Sequence, residues 1–245
     1  MIPLKVFVKK GLDNEIANHN FYAAYDGFKQ LGFEICYFQD IRTLSGHQKE
    51  DIVISYVEDV RSMLRRHDIV APEIDYPEEL TAFLGRKVWK SRLSVIANHP
   101  ENWNVFIKPV EDKKFTGIVV RSTKDLVGCG TYGEDPEIWC SDVVKFVAEW
   151  RCFVRYGDIL DVRRYRGDWR VHFDARIVQG IVDQFQSAPK GYAVDIGLTD
   201  QGETLLIEVN DGYALGHYGM SSLDYAKLLS ARWAELTNTT DECNF

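Results

Sequence analysis

The chain opens on a short apolar run with little alternation, Lys5 to Val8, which predicts a buried strand. An amphipathic stretch from Asn14 to Leu31 follows and meets Gly32, so a helix ending at that glycine is expected. Phe33 to Phe38 predicts a second strand. Ile52 to Ile54 and the helical spacing of Tyr56, Val57, Val60, Met63 and Leu64 repeat the strand-then-helix order, which predicts a small parallel α/β unit. Pro72 and Pro77 then interrupt the periodicity and mark a linker, closing a first domain over residues 1–78.

Beyond a helical segment expected from Pro77 to Ala97, the pattern changes to strands joined by turns. Phe106 to Lys108 and Gly117 to Val120 flank a polar loop, and Val147 to Tyr156 and Ile159 to Tyr165 read as strands. Tyr192 to Leu198 and Thr204 to Val209 predict a hairpin, and Leu223 to Leu236 a closing helix. A second domain over residues 79–245 follows from this texture.

The 245 residues are 45% hydrophobic and 27% charged, enough to bury one large core or two smaller ones. The N-terminus turns charged after a few apolar residues and no window reaches the length of a membrane span, so a soluble cytoplasmic protein with no membrane partner is expected. Five scattered cysteines without a CxxC argue against a disulfide framework or a structural zinc. The six histidines show no metal-binding spacing and read as structural or surface groups. A net charge of −8 argues against sequence-independent binding to nucleic acid, which depends on an excess of Lys and Arg over the phosphates.

Acidic groups inside apolar strands carry the strongest chemical signal, because buried carboxylates are costly unless paired or metal-bound. Glu208 and Asn210 are two apart on a strand and leave the same face. A two-residue turn at Gln201-Gly202 sets Asp195 directly opposite Glu208. Three oxygen-bearing side chains then converge, a set suited to magnesium. The plainer alternative pairs Asp195 and Glu208 with arginines on a solvated face.

Lys108 at the end of an apolar strand and Lys114 near the far end of the next loop offer cations for an anion such as a nucleotide phosphate, whereas Lys113 reads as solvated. Residues 149–170 concentrate six arginines. Alternation puts Glu149, Arg151 and Phe153 on one face, and turns Arg163 with Tyr165 away from Arg164 with Arg166. One set of arginines faces inward, where it can hold carboxylate or phosphate at two points. Tyr156, Tyr165 and Trp169 among them leave an RNA-binding stripe as an alternative.

The order of these parts resembles the ATP-grasp superfamily. FIKPVEDKKFTGIVV, EWRCFVRYGDILD, DIGLTDQGETLLIEVNDGYALGHYG and the final LLSARW are similar to its clade named for two arginines and a lysine. The resemblance covers nearly the whole chain, most firmly from about residue 80. It implies an α/β (α+β) architecture, an ATP-grasp fold preceded by a small Rossmann-like α/β domain, with ATP held between two sheet-containing lobes. Lys108 and Lys114 match the family's phosphate lysines, and one of Arg86, Lys87 and Lys90 its first basic contact. Cys140 to Ala148 resembles the adenine-side connector, so Val143, Val144 and the adjoining Glu149 are implied nucleotide contacts. Asp195, Glu208 and Asn210 match the metal positions, for Mg2+ or Mn2+. Arg151, with Arg164, is implied in catalysis at the phosphates or acyl group. The implied activity is ATP-dependent ligation of a carboxylate substrate to an amine acceptor through an acyl phosphate. A kinase on the same fold and a non-catalytic nucleotide-binding module are the rivals.

Overall fold

The computed structural model describes residues 4–111, 114–130 and 133–245. The chain divides into two compact units, one formed by the residues up to Thr81 with Val147–Phe245, the other by Ala82–Phe146.

The first unit begins with β1 (Lys5–Lys9), α1 (His19–Gln30), β2 (Glu34–Phe38), β3 (Ile52–Ile54) and α2 (Val57–Arg66). The three strands form a parallel sheet in the order β2-β1-β3, the small α/β unit that the strand-helix alternation predicts. Helix α1 starts later than its amphipathic stretch. The Asn18 side chain accepts the Phe21 N–H at 3.0 Å, and this cap fixes the first turn.

The helix expected from Pro77 to Ala97 is replaced by a 3-10 turn (Glu78–Phe83) and, in the second unit, by a strand β4 (Val88–Arg92) and a short α3 (Leu93–Asn98). So few residues cannot separate strand spacing from helical spacing, and pairing with the neighbouring strand decides for the strand. With β5 (Val105–Pro109), β6 (Ile118–Val120) and β7 (Glu137–Asp142), β4 forms an antiparallel sheet ordered β4-β7-β5-β6. A small core of Leu93, Ile96, Val105, Ile107, Ile138 and Cys140 backs it.

The chain returns to the first unit through β8 (Phe146–Arg155), β9 (Asp158–Gly167), α4 (Ala175–Gln184), β10 (Gly191–Thr199), β11 (Thr204–Asp211) and α5 (Ser222–Thr237). The sheet order is β11-β10-β8-β9. One core joins Val6, Val8 and Phe28 of the first strands and helix to Phe153, Ala193, Tyr213, Leu228 and Trp233. The N-terminal residues therefore do not stand apart as a body ending at 78. Gly27 explains the intimacy: a Cβ there would lie 1.9 Å from the Ser222 carbonyl oxygen, so only glycine lets α1 approach the start of α5 so closely. Among the described residues, no helix is long and apolar enough to cross a membrane.

Candidate functional site

The hairpin β10–β11 carries the acidic residues. Its strands pair Asp195 with Glu208 and Ala193 with Asn210. The expected two-residue turn is absent. Leu198 pairs with Thr204, and the Thr199 hydroxyl accepts the N–H groups of Gln201 (3.3 Å) and Glu203 (3.0 Å), closing a longer turn. The register near the turn is thus one residue off the expected one. A bulge at Ile207 restores it, because Ile196 pairs with Leu206 while Asp195 pairs with Glu208. The bulge also lets Leu206 and Val209, three apart, both be buried. Two contacts hold β11 in place. The Val209 N–H donates to the Asp75 carbonyl of the linker at 2.9 Å, and Asp211 makes a two-point contact with the buried Arg232 of α5 at 2.6 Å.

Arg151 on β8 grips Asp195 through Nε–Oδ1 and Nη2–Oδ2, both 2.7 Å, and both residues are buried. Its Nη1 reaches the Gly216 carbonyl at 3.5 Å. Burial pushes the Arg151 guanidinium toward losing its proton, but the Asp195 carboxylate outweighs this and its pKa rises. Burial pushes the Asp195 carboxyl up, opposed by Arg151. Asn210 Nδ2 lies 3.5 Å from Glu208 Oε1. The Tyr218 ring covers the Arg151 guanidinium at 4.9 Å and stacks on Tyr165, with centroids 4.9 Å apart. Burial raises the Tyr165 hydroxyl, and the nearby Asp195 and Glu149 raise it further.

The arginines of β9 sort differently from simple alternation. Arg163 pairs with Arg151, but Trp150 pairs with Arg164 and Glu149 with Arg166, so Tyr165 is an extra, bulged residue. Arg166 thereby shares the face of Arg163 and makes an ion pair with Glu149 at 2.7 Å. Arg164 lies on the other face, opposite Trp150, whose indole packs edge-on against Phe173. The structure does not bring Arg164 to Arg151: Arg163 is the register partner of Arg151, so its neighbour Arg164 faces the other side by plain alternation, and the bulge at Tyr165 changes only the face of Arg166. Glu149, expected at nucleotide, is buried against Arg166.

In the second unit, Lys90 and Lys108 both pair with Trp139, one from each side. Paired positions share a sheet face, so the two lysines flank one indole. Lys90 Nζ stands 4.9 Å over the Trp139 ring and 3.9 Å from Glu137. Lys87 instead stacks over Trp89, on the opposite face from Lys90. The Arg86 guanidinium donates to the Leu84 carbonyl. Of the three basic residues left open by the sequence, Lys90 alone joins the row with Lys108. Lys114 is held between Glu111 (3.1 Å) and Glu134 (3.0 Å). Val143 and Val144 lie half-buried in the segment linking β7 to β8. Lys113 lies outside the described residues. Sequence reasoning missed Trp139; its position between the inward Ile138 and Cys140 is the signal that would have found it.

Among the described residues, no three His, Cys, Asp or Glu side chains gather into a metal-binding group, so the set depends on the Asn210 amide to complete it. Asp195, Glu208 and Asn210 offer oxygen throughout, and a hard divalent cation suits that set.

No curated protein matches the sequence. In structure the chain is similar to N5-carboxyaminoimidazole synthetase from Staphylococcus aureus complexed with ADP, at 11% identity and a TM-score of 0.58, covering 97% of this chain and 78% of that one. It is similar to D-alanine--D-alanine ligase from Bacillus anthracis, at 9% identity and a TM-score of 0.57 over 97% and 99%. The ATP-grasp ligase PsnB complexed with minimal precursor matches at 13% identity and a TM-score of 0.52 over 95% and 99%. These likenesses establish a shared fold. The model of an ATP-grasp domain family, the second family of the clade named for two arginines and a lysine, matches residues 83–228, more than half of the chain, and with the fold in agreement the chain belongs to that family of ATP-grasp domains.

Proposed function

We propose that the chain is a cytoplasmic, ATP-dependent carboxylate–amine ligase that makes an amide or peptide bond and releases ADP and phosphate. The observation that carries this reading is the oxygen-rich cluster on β10–β11, Asp195, Glu208 and Asn210, oriented by the two-point grip of Arg151. Phosphoryl transfer needs positioning and charge neutralisation more than side-chain nucleophiles, and these residues are of that kind.

In this reading a carboxylate oxygen of the substrate attacks the γ-phosphorus of ATP, and the bond from that phosphorus to ADP breaks. The amine nitrogen then attacks the acyl carbon of the acyl phosphate, phosphate leaves, and the amine proton passes to solvent. Glu208 and Asn210, with Asp195, would hold Mg2+, or Mn2+ in its place. The ion supplies charge neutralisation on the phosphates when bound. Lys90 and Lys108 take phosphate oxygens, and Trp139 fixes them in one row. Lys114 is released from Glu111 and Glu134 when it meets phosphate. Val143 and Val144 contact the adenine. Arg151 orients Asp195, since the donors it uses already point there.

The substrates are a carboxylic acid and an amine borne by an amino acid, peptide or protein. PsnB, solved with a precursor and also with Mg and ADP, has the same fold and is in keeping with that class. Hydroxylamine trapping tests the reading. With ATP and Mg2+, a ligase yields a hydroxamate from its acid together with ADP. Phosphorylation of an alcohol without hydroxamate makes it a kinase, and ATP binding without turnover makes it a nucleotide-binding module.

A further inference from the structure

The outer N–H and C=O groups of an edge strand invite a further strand, and proteins shield such edges with bulges, charge, brevity or a covering segment. Among the described residues the edges of the three sheets are shielded in these ways with one exception. β11 is covered by the linker, whose Asp75 carbonyl accepts the Val209 N–H at 2.9 Å. β9 is bent by two register shifts and bears Arg163, Arg164 and Arg166. β3 and β6 have three residues each, and β4 carries Lys90 and Arg92. β2 differs from all of them. It has five residues in unbroken parallel register with β1, its one charge is Glu34 at the first position, and no strand lies on its outer side among the described residues.

Its outward groups can be named. The Glu34 N–H donates to the Leu4 carbonyl at 3.2 Å and the Phe38 carbonyl accepts the Lys10 N–H at 2.8 Å, so Glu34, Cys36 and Phe38 turn their backbone groups toward β1. Those of Ile35 and Tyr37 point outward. A row of tyrosines stands on the α1 face of this edge: Tyr37 on β2, then Tyr25 and Tyr22 on α1, with successive ring centroids 6.4 and 5.7 Å apart. Tyr37 is 46% and Tyr22 58% exposed, and tyrosine is a residue that protein interfaces favour over the rest of a surface. Lys10 covers the Tyr37 ring at 4.3 Å.

We propose that β2 is the edge through which two copies of this chain dimerise, β2 pairing antiparallel with β2 about a two-fold axis at Cys36 and joining the sheets in the order β3-β1-β2-β2-β1-β3. A second copy is the occupant because the edge is complementary to itself. The two-fold at Cys36 sets Ile35 opposite Tyr37 of the second copy, and each such pair exchanges both of its N–H···O bonds. Ile35 with Tyr37 is a β-branched–aromatic pair, a favourable cross-strand neighbour. Glu34 falls opposite the uncharged Phe38, so no like charges meet along the paired strands. Shifted registers do worse. A two-fold at Ile35 calls on Phe33, whose N–H already donates to the Phe28 carbonyl at 3.1 Å, and one at Tyr37 calls on Gln39, beyond the end of the strand. The axis stands normal to the joined sheet, so both α1 helices lie on one face and the two tyrosine rows approach each other across it.

Cys36 reports on this arrangement. On the axis it is a non-hydrogen-bonded pair with Cα atoms about 4.5 Å apart, within the span of about 4.4–6.8 Å that a disulfide bridges. The other cysteines, Cys129, Cys140, Cys152 and Cys243, are buried. Sedimentation equilibrium of the full chain over a concentration series is expected to show a monomer–dimer equilibrium. Diamide, which takes up the two protons and two electrons of the paired thiols, is expected to lock the dimer as a disulfide. Cys36→Ser removes the locked species and keeps the equilibrium. Tyr37→Pro deletes an outward N–H without touching the pairing with β1. It raises the dissociation constant about tenfold or more, the scale of two hydrogen bonds lost per dimer, and it lowers locking although Cys36 is kept. Far-UV circular dichroism checks that the fold survives, and Tyr37→Lys, a charge of the kind that guards natural edges, serves if the proline variant does not fold. A chain that sediments as a monomer throughout overturns the proposal and leaves the edge to a strand from another protein. A dimer that both Tyr37 variants leave unchanged, or a disulfide that forms equally well in them, overturns it too. None of these readouts depends on the ligase reading.

Discussion

The two four-stranded sheets carry charge in opposite ways. In β11-β10-β8-β9 the charges are buried and paired, Arg151 on Asp195 and Glu149 beneath Arg166. In β4-β7-β5-β6 they stand on a partly exposed face, with Lys90 over the Trp139 ring. The buried pair has lost its water, so its geometry is fixed by hydrogen bonds at two points and removal of either partner strands the other. The exposed lysines keep their hydration and can change partners at little cost, as Lys114 illustrates between two glutamates. The first arrangement suits a rigid cluster aimed at one place, and the second suits contacts made only when ligand arrives.

Substitutions separate the two behaviours. Asp195→Ala has the largest expected effect: it strands Arg151 and lowers the free energy of unfolding by about 3–5 kcal/mol, read by urea denaturation. Lys108→Ala in the other sheet changes stability by only about 0.5 kcal/mol or less while weakening ATP binding. A similar stability cost for both erases the contrast. Glu208→Gln is expected to leave the fold intact and cut Mg2+-dependent ADP release by about 100-fold, and undiminished turnover would remove the acidic cluster from the mechanism.

Acid sharpens the comparison further. His47 packs among Phe7, His67 and Trp233 in the first unit, and burial pushes its imidazole down to about 4, with His67 adding to the effect. The unfolded chain therefore binds this proton more readily than the folded one. The stability it contributes is complete above about pH 6.5 and is lost as pH falls toward 4. Allowing for its partial exposure, the loss is about 1–2 kcal/mol. Thermal melting from pH 7 to 4.5 follows it, and His47→Gln flattens that part of the profile. Trp139→Ala has the mildest effect expected on ATP binding, removing about 0.5–1 kcal/mol of cation–π stabilisation and raising the Kd for ATP a few-fold by calorimetry. An unchanged Kd means that the indole does not position Lys90.

Much of this molecule is legible in its pattern. The parallel β2-β1-β3 sheet follows from three apolar runs and two amphipathic stretches, and the helix α5 from its spacing. The pairing of Asp195 with Glu208 follows from counting back from a turn that the structure does not contain. The count succeeds because the bulge at Ile207 compensates for the longer turn, and no local propensity announces either. The same kind of bulge, at Tyr165, breaks the shared face expected of Arg164 and Arg166. Strand β4 reads as helix in the sequence because five residues hold too few periods to distinguish 2 from 3.6.

The sequence by itself determined the element types wherever a run was long enough to show its period, and it determined the family through the order of its lysine, arginine and acidic segments. Register and partnership were decided by the tertiary structure. A bulge inserts one residue wherever packing favours it, and each insertion moves every later side chain to the other face. So it is the folded sheet that gives Arg151 to Asp195 and Arg166 to Glu149. The tie between the first strands and the closing helix is tertiary too: Gly27 is one small residue in an amphipathic pattern until Ser222 is packed against it.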